Sequence, residues 1–295
     1  LSLGGSTDVE FVCIFKGSFS KEKTMRRLLF AALIVAFSSA GHAQNRMVIS
    51  DIDDTLKMSH VLDTTEALKN AALSWNEFVG MSDLFDSLDR EQNLSFEYVT
   101  NAPQDLMEAF HTLFLLVNQF PQGRLHLNPD LFSQTFKVEK IHEILDEKRP
   151  TEVLLIGDNG ERDIEVYEQI RRDYPRIKFT IFIHQVYSSK NSDETGKLLL
   201  PGQIGFVTSL DAAVVLAQQG WLSPAGRDRV LRLLPKFLKE KKSPDDDESA
   251  FIPAWMDCSD YQGVLNSREK TLATLSSKIQ NRCRPSRWYN PLTWR

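Results

Sequence analysis

From residue 46 onward, short apolar runs alternate with stretches whose apolar positions recur at helical spacing. Residues 47–50 form an apolar run that ends in an acidic cluster, and 96–100, 124–127, 152–156, 178–183 and 204–207 repeat the pattern, so each is expected to be a strand. Between them the spacing predicts helices over 64–79, 82–88, 103–120, 138–147, 161–172 and 210–219. Pro103 suits a first helical turn, while Gly80 and Pro121-Gln122-Gly123 mark breaks. Regular strand-helix alternation predicts an α/β fold: a parallel sheet with helices on both faces and its site at the carboxyl ends of the strands. The spacing between the elements leaves room for a minimal cap only, so the site is expected to be fairly open.

The two ends of the chain depart from this rhythm. Met25 is the first methionine; Arg26 and Arg27 follow it, then an apolar block over 28–37 and small residues over 38–43, the composition of a secretory signal peptide cleaved after Ala43. An apolar block of about ten residues is too short to span a bilayer, so no transmembrane anchor is expected after cleavage, and the protein is expected to be periplasmic or secreted. Residues 1–24 then read as an upstream extension, 44–240 as the main domain, 241–250 as a charged linker and 251–295 as a small helical extension. Asp245-Asp246-Asp247-Glu248 lacks the Gly and terminal Glu spacing of a calcium loop.

Composition narrows the partners. A formal charge of -5 with 25% charged residues offers no clustered basic surface for nucleic acid. Cys13 lies in the leader, which leaves Cys258 and Cys283 as a candidate disulfide in an oxidising compartment. In the tail, Arg282, Arg284, Arg287, Trp288, Trp294 and Arg295 could meet an anionic lipid surface, although packing of the two Trp rings on the domain is the plainer expectation. Oligomeric state is not legible at this level.

The sharpest chemistry follows the first strand, in Ser50-Asp51-Ile52-Asp53-Asp54-Thr55-Leu56. Two carboxylates two residues apart at a strand end can face one pocket, with Asp51 as a nucleophile that carries a phosphoryl group and Asp53 as acid and then base. So anionic a pair, acting on an anionic ester, requires cations. Asp158, in Gly157-Asp158-Asn159-Gly160-Glu161-Arg162-Asp163, again follows an apolar strand; with Asp51, and with Asp163 as ligand or support, it offers hard oxygen donors suited to Mg2+. Lys137 is the expected catalytic lysine, with Lys140 one turn along the same helix as the alternative. The second strand ends in Thr100-Asn101-Ala102-Pro103, where the Thr100 hydroxyl and the amides of a helix start can hold phosphate oxygens. Asn101 and Asn159 are as readily turn formers as ligands, and His184 at a strand end reads first as a structural histidine.

The order Asp-x-Asp-x-Thr, Thr-Asn, Lys, Gly-Asp-x-x-x-x-Asp resembles the motifs of the haloacid-dehalogenase superfamily of phosphatases. More narrowly, residues 48–57, Gly80-Met81, residues 96–103, Phe120-Pro121-Gln122-Gly123 and residues 155–167 resemble the catalytic domain of the actin-patch phosphatidate phosphatase family. The resemblance implies a phosphatase catalytic domain with a Rossmann-like parallel-sheet core, with Asp51, Asp53, Thr100 and Lys137 as catalytic residues and Thr55 and Asn101 at the substrate. Its implied Mg2+ site draws on Asp51, Asp53, Asp158 and Asp163. It would also place arginines after two of the strands, where this chain has Leu127-Asn128 and Ile183-His184. Three functions are therefore expected in order: a phosphomonoesterase acting on phosphatidate-like lipids, a broad acid-phosphatase-like enzyme for small esters or phosphoproteins, and a secreted binding module without catalysis.

Overall fold

The computed structural model describes residues 45–63, 75–92, 94–130, 133–241, 249–263 and 269–283. The proposed leader, most of the helix expected over 64–79, the acidic run 245–248, and Trp288 and Trp294 lie outside them. Six strands, β1 (Arg46–Ser50), β2 (Ser95–Pro103), β3 (Gly123–Asn128), β4 (Glu152–Asp158), β5 (Lys178–His184) and β6 (Gln203–Phe206), form one sheet in the order β3-β2-β1-β4-β5-β6, and every pairing is parallel. The α/β expectation is met. Parallel neighbours need crossovers, which α1 (Met81–Gln92), α2 (Gln104–Val117), α3 (Phe136–Lys148) and α4 (Asp163–Asp173) supply for the first five strands; residues 185–202 link β5 to β6 without a helix, and α5 (Ser209–Gln218) follows β6.

Successive side chains of a strand face opposite sides, so β1 feeds two cores at once. Val48 joins Ile156, Phe182 and Trp221 on one side, while Met47 and Ile49 join Val153, Leu155 and Tyr167 on the other. All seven residues of β4 are buried, as expected of a central strand covered on both faces. Ser50 is in register with Ile156, and the amide of Asp51 donates to the Ile156 carbonyl at 2.9 Å. The first residue past β1 and the last of β4 are thereby set side by side.

Several boundaries move for identifiable reasons. Residues 75–79 are not helical: Lys57 and Glu77 form an antiparallel bridge instead. Pro103 closes β2 and caps α2 from outside, and the helix expected to 120 ends at Val117. The basic stretch 227–240 divides into α6 (Pro224–Leu231) and α7 (Leu234–Lys239), the second opening on Pro235, which suits a first turn and cannot continue a preceding helix.

The C-terminal extension returns to the main domain. Asp257 donates its amide to the Val186 carbonyl at 3.0 Å, the Tyr261 hydroxyl donates to Asp211 Oδ2 at 2.7 Å, and Trp255 stacks on the ring of His60 at 4.3 Å. The strap 249–263 is joined by a Cys258–Cys283 disulfide to α8 (Lys270–Cys283). The bond closes a loop with a sequence separation of 25, so replacing both cysteines by Ser should cost about 3 kcal/mol in urea unfolding under oxidising conditions, with no difference from wild type under reducing ones. No helix among the described residues is long and apolar enough to cross a membrane.

Candidate active site

Asp51 and Asp158 sit on adjacent strand ends because β1 and β4 are neighbours in register. Asp163 opens α4, five residues on, and reaches back: its Oδ2 accepts the Asp158 amide at 3.3 Å. That approach passes over Gly157, where a Cβ would stand 2.1 Å from Asp163 Oδ2, so no other residue fits there without displacing the carboxylate. Carboxylate oxygens of Asp51, Asp158 and Asp163 come within 4.8 Å of one another, and all three residues are buried.

Lys137 projects from the first turn of α3 into this group. Its Nζ donates to Asp51 Oδ1 at 2.9 Å and also to Asp163 Oδ1. Lys140, the alternative, is only partly buried and pairs with Glu143 instead. The docking of α3 makes the choice: it turns Lys137 inward with Ile141, Ile144 and Leu145 and leaves Lys140 to Glu143. Thr55 donates its hydroxyl to Asp51 Oδ2 at 3.1 Å, which engages it with the nucleophile candidate.

Three buried carboxylates thus face one ammonium. Burial pushes the Asp51 carboxyl well above the usual range; Lys137 opposes this, and Asp163, Glu161 and Asp53 add to it. Burial, then Asp163 and Asp51, likewise raise Asp158. For Lys137 burial acts downward, yet Asp163 and Asp51 outweigh it and hold the ammonium well above its ordinary value. The negative excess calls for a further cation. Asp158 Oδ1 accepts the amides of Gly160 at 2.6 Å and Glu161 at 3.3 Å, whereas Asp158 Oδ2 is buried with no hydrogen-bond partner. An orphaned oxygen beside two further carboxylates fits a hard divalent ion, and Asp51, Asp158 and Asp163 are the residues that would hold it.

Asp53 is placed differently. Its carboxylate, expected among the metal ligands, is not part of that group among the described residues. Oδ1 accepts the Ser59 hydroxyl, and Oδ2 lies 3.1 Å from His111 Nε2. Burial acts to raise this carboxyl, but the charge of His111, with Lys57 and Ser59, outweighs it and holds it far below the usual range. His111 is completely buried on α2 and was not among the expected site residues. A lone His one turn before the buried Phe114, in a helix whose second half is largely apolar, was the available signal.

The remaining expected residues divide. Thr100 is buried at the end of β2, where its hydroxyl oxygen accepts the Ala102 amide at 3.1 Å, and no side chain caps the helix that follows. Asn101 lies beside Glu161, whose carboxyl is raised chiefly by burial. Asn159 is structural: its amide donates to the Tyr187 and Lys197 carbonyls and accepts from the amides of Val186 and Tyr187. His184 lies between the Asp54 and Val207 carbonyls, each 3.0 Å away, and burial lowers its pKa to about 4. Asp54, in the left-handed region at φ 55°, accepts the amides of Ser59, His60 and Val61 and so folds the loop that carries Ser59 toward Asp53.

Residues 46–185 match the family model for phosphatidate phosphatase APP1, catalytic domain. This segment is an APP1-like phosphatase domain. Phosphatidate phosphatase APP1 of Saccharomyces cerevisiae is 29% identical to it over 152 residues, which is 46% of this chain and 25% of that protein. An uncharacterised protein of Schizosaccharomyces pombe is 29% identical over 153 residues, 48% of this chain and 25% of its own length. The chain thus spans about a quarter of these curated relatives. A class C acid phosphatase of Bacillus anthracis, solved with tungstate bound, is similar over 76% of this chain and 88% of its own at 15% identity and a TM-score of 0.32, too loose a likeness to carry an assignment. The APP1-like domain contains every catalytic and metal-binding candidate named above, from Asp51 to Asp163, and His111 with them.

Proposed function

We propose that the protein is an exported, Mg2+-dependent phosphomonoesterase that works through an aspartyl-phosphate intermediate, with phosphatidate-like lipids as its substrate class. The observation that carries the reading is the Lys137 ammonium joining Asp51 and Asp163 beside the orphaned Asp158 oxygen. In this scheme an Asp51 oxygen attacks phosphorus, the bond from phosphorus to the leaving oxygen breaks, and Asp53, protonated when the negative charge of the bound phosphoester offsets the pull of His111 on its carboxyl, passes its proton to that oxygen. Water then attacks phosphorus, Asp53 takes its proton, and Asp51 is released with inorganic phosphate. A bound Mg2+ would supply charge neutralisation for the phosphoryl oxygens. Lys137 holds Asp51 in line, and Thr100 together with the uncapped start of α2 receives phosphoryl oxygens. The composition of residues 25–43 and the Cys258–Cys283 bond support export to an oxidising compartment.

A second reading, a broad phosphatase for small esters, is favoured by two side chains. Where the lipid-directed pattern would place arginines, Asn128 donates to the Ser133 carbonyl at 3.1 Å and His184 is held between backbone carbonyls, so neither brings a cation to a headgroup. Phosphate release with Mg2+ from phosphatidate in vesicles is therefore to be compared with release from a soluble chromogenic ester. Faster vesicle turnover is the expected result; turnover of the soluble ester alone would remove the lipid assignment and keep the chemistry, and release from neither would remove both.

A further inference from the structure

We propose that His111 is a positioning residue for Asp53, holding the carboxyl in the orientation from which its proton reaches the leaving-group oxygen; this rests on the phosphomonoesterase reading above. The first ground is cost. His111 is completely buried in a helix turn whose other inward residue is Phe114, and Asp53 is the polar group that meets its ring, at Nε2, among the described residues. A buried imidazole with so little hydrogen bonding is a net liability to the fold, where an apolar ring of the same size would serve better. Its retention at that point fits a task at Asp53.

The second ground is geometry. Asp53 follows Asp51 by two residues on a tight turn, and its side chain is the more exposed of the two, with 16% of its surface accessible against 3% for Asp51. Left alone, such a carboxylate would sample several rotamers. Ser59 hydrogen-bonds one oxygen and the His111 ring stands against the other at 3.1 Å, an ion-pair contact without hydrogen-bond geometry, from opposite segments of the chain: the Asp54-ordered loop and α2. Two holds on two oxygens fix the carboxyl plane, and each oxygen keeps a second lone pair for substrate. Because α2 also starts where Thr100 and Asn101 line the site, one rigid helix sets both the phosphoryl-binding end and the proton donor.

Leaving groups separate this role from a merely structural one. A nitrophenolate departs as a stable anion, whereas an alkoxide has to be protonated as the bond from phosphorus to oxygen breaks. The general-acid contribution of about 10²- to 10⁴-fold is thus needed for alkyl phosphates and hardly at all for 4-nitrophenyl phosphate. His111→Phe and His111→Leu are to be measured on both esters, with Mg2+, alone and combined with Asp53→Asn. Expected is a fall in kcat at least about tenfold larger on the alkyl ester than on the aryl ester, with KM little changed, and no further fall when either change is added to Asp53→Asn. Both variants read the same ratio, so one that folds suffices. Equal losses on the two esters, or effects that add fully to Asp53→Asn, overturn the assignment to His111 and leave the phosphatase reading standing. Wild type that turns over neither ester overturns that reading, and this inference with it.

Discussion

Asp51→Asn is expected to abolish phosphate release, by on the order of 10³-fold or more on every ester, while leaving the folded protein intact. The change removes the attacking oxygen anion and keeps the shape. An amide oxygen at the same place can still accept from Lys137 or Thr55, and Lys137 retains Asp163 as its counterion. Thermal unfolding and the circular dichroism spectrum should therefore match wild type closely, and no acid-stable but base-labile phosphoenzyme should be trapped. Lys137→Ala makes an instructive contrast. It also stops turnover, but it leaves Asp51 and Asp163 buried without their cation, and breaking such a pair costs about 3–5 kcal/mol. Loss of activity in Lys137→Ala thus mixes chemistry with stability, whereas in Asp51→Asn it reports on the nucleophile. Residual turnover within about tenfold of wild type in Asp51→Asn would sink the aspartyl-phosphate scheme.

The acidic residues of this site were legible because their positions are fixed locally. Asp51 and Asp158 each stand at the end of an apolar run, and parallel pairing of two such runs brings their ends together whatever the loops do. Lys137 was favoured over Lys140 by its distance ahead of Gly157-Asp158; residues three apart share a helix face, so only the docking of α3 turns Lys137 inward and leaves Lys140 to Glu143. What the sequence did not disclose depends on contacts between distant segments. The pairing of His111 with Asp53 needs α2 docked at one particular rotation, and an apolar helix with exposed Leu106, Leu113 and Leu116 gives no clear inward face to read. Residues 75–79 failed as a helix because Glu77 gains a bridge to Lys57, a tertiary contact that overrides local period. Asp53 and Asp158 look alike in sequence, each an acidic residue just beyond an apolar strand. Only the surroundings divide them: His111, Lys57 and Ser59 lower the Asp53 carboxyl against its burial, while burial and neighbouring carboxylates raise that of Asp158.

That crowding predicts how the protein answers to metal. Mg2+ should raise the unfolding temperature of wild type, EDTA should reverse the rise, and Asp158→Asn should remove it. Binding to the folded state alone stabilises by about 2.7 kcal/mol at a ligand concentration of 100 times Kd, which for a domain of this size is a shift of about 5–10 °C. In Asp158→Asn the orphaned oxygen becomes part of a neutral amide, so the hard anionic donor set falls from three carboxylates to two, and the metal response should be lost or need far higher Mg2+. The same variant has one fewer buried negative charge beside Asp51 and Asp163, and without metal it should unfold at a higher temperature than wild type. This inversion, a variant more stable than wild type in EDTA and less stable in saturating Mg2+, is what a site built around an ion should produce. A Mg2+ shift of equal size in both proteins would place the ion elsewhere, and no shift in wild type would leave the three carboxylates without the cation that their burial calls for.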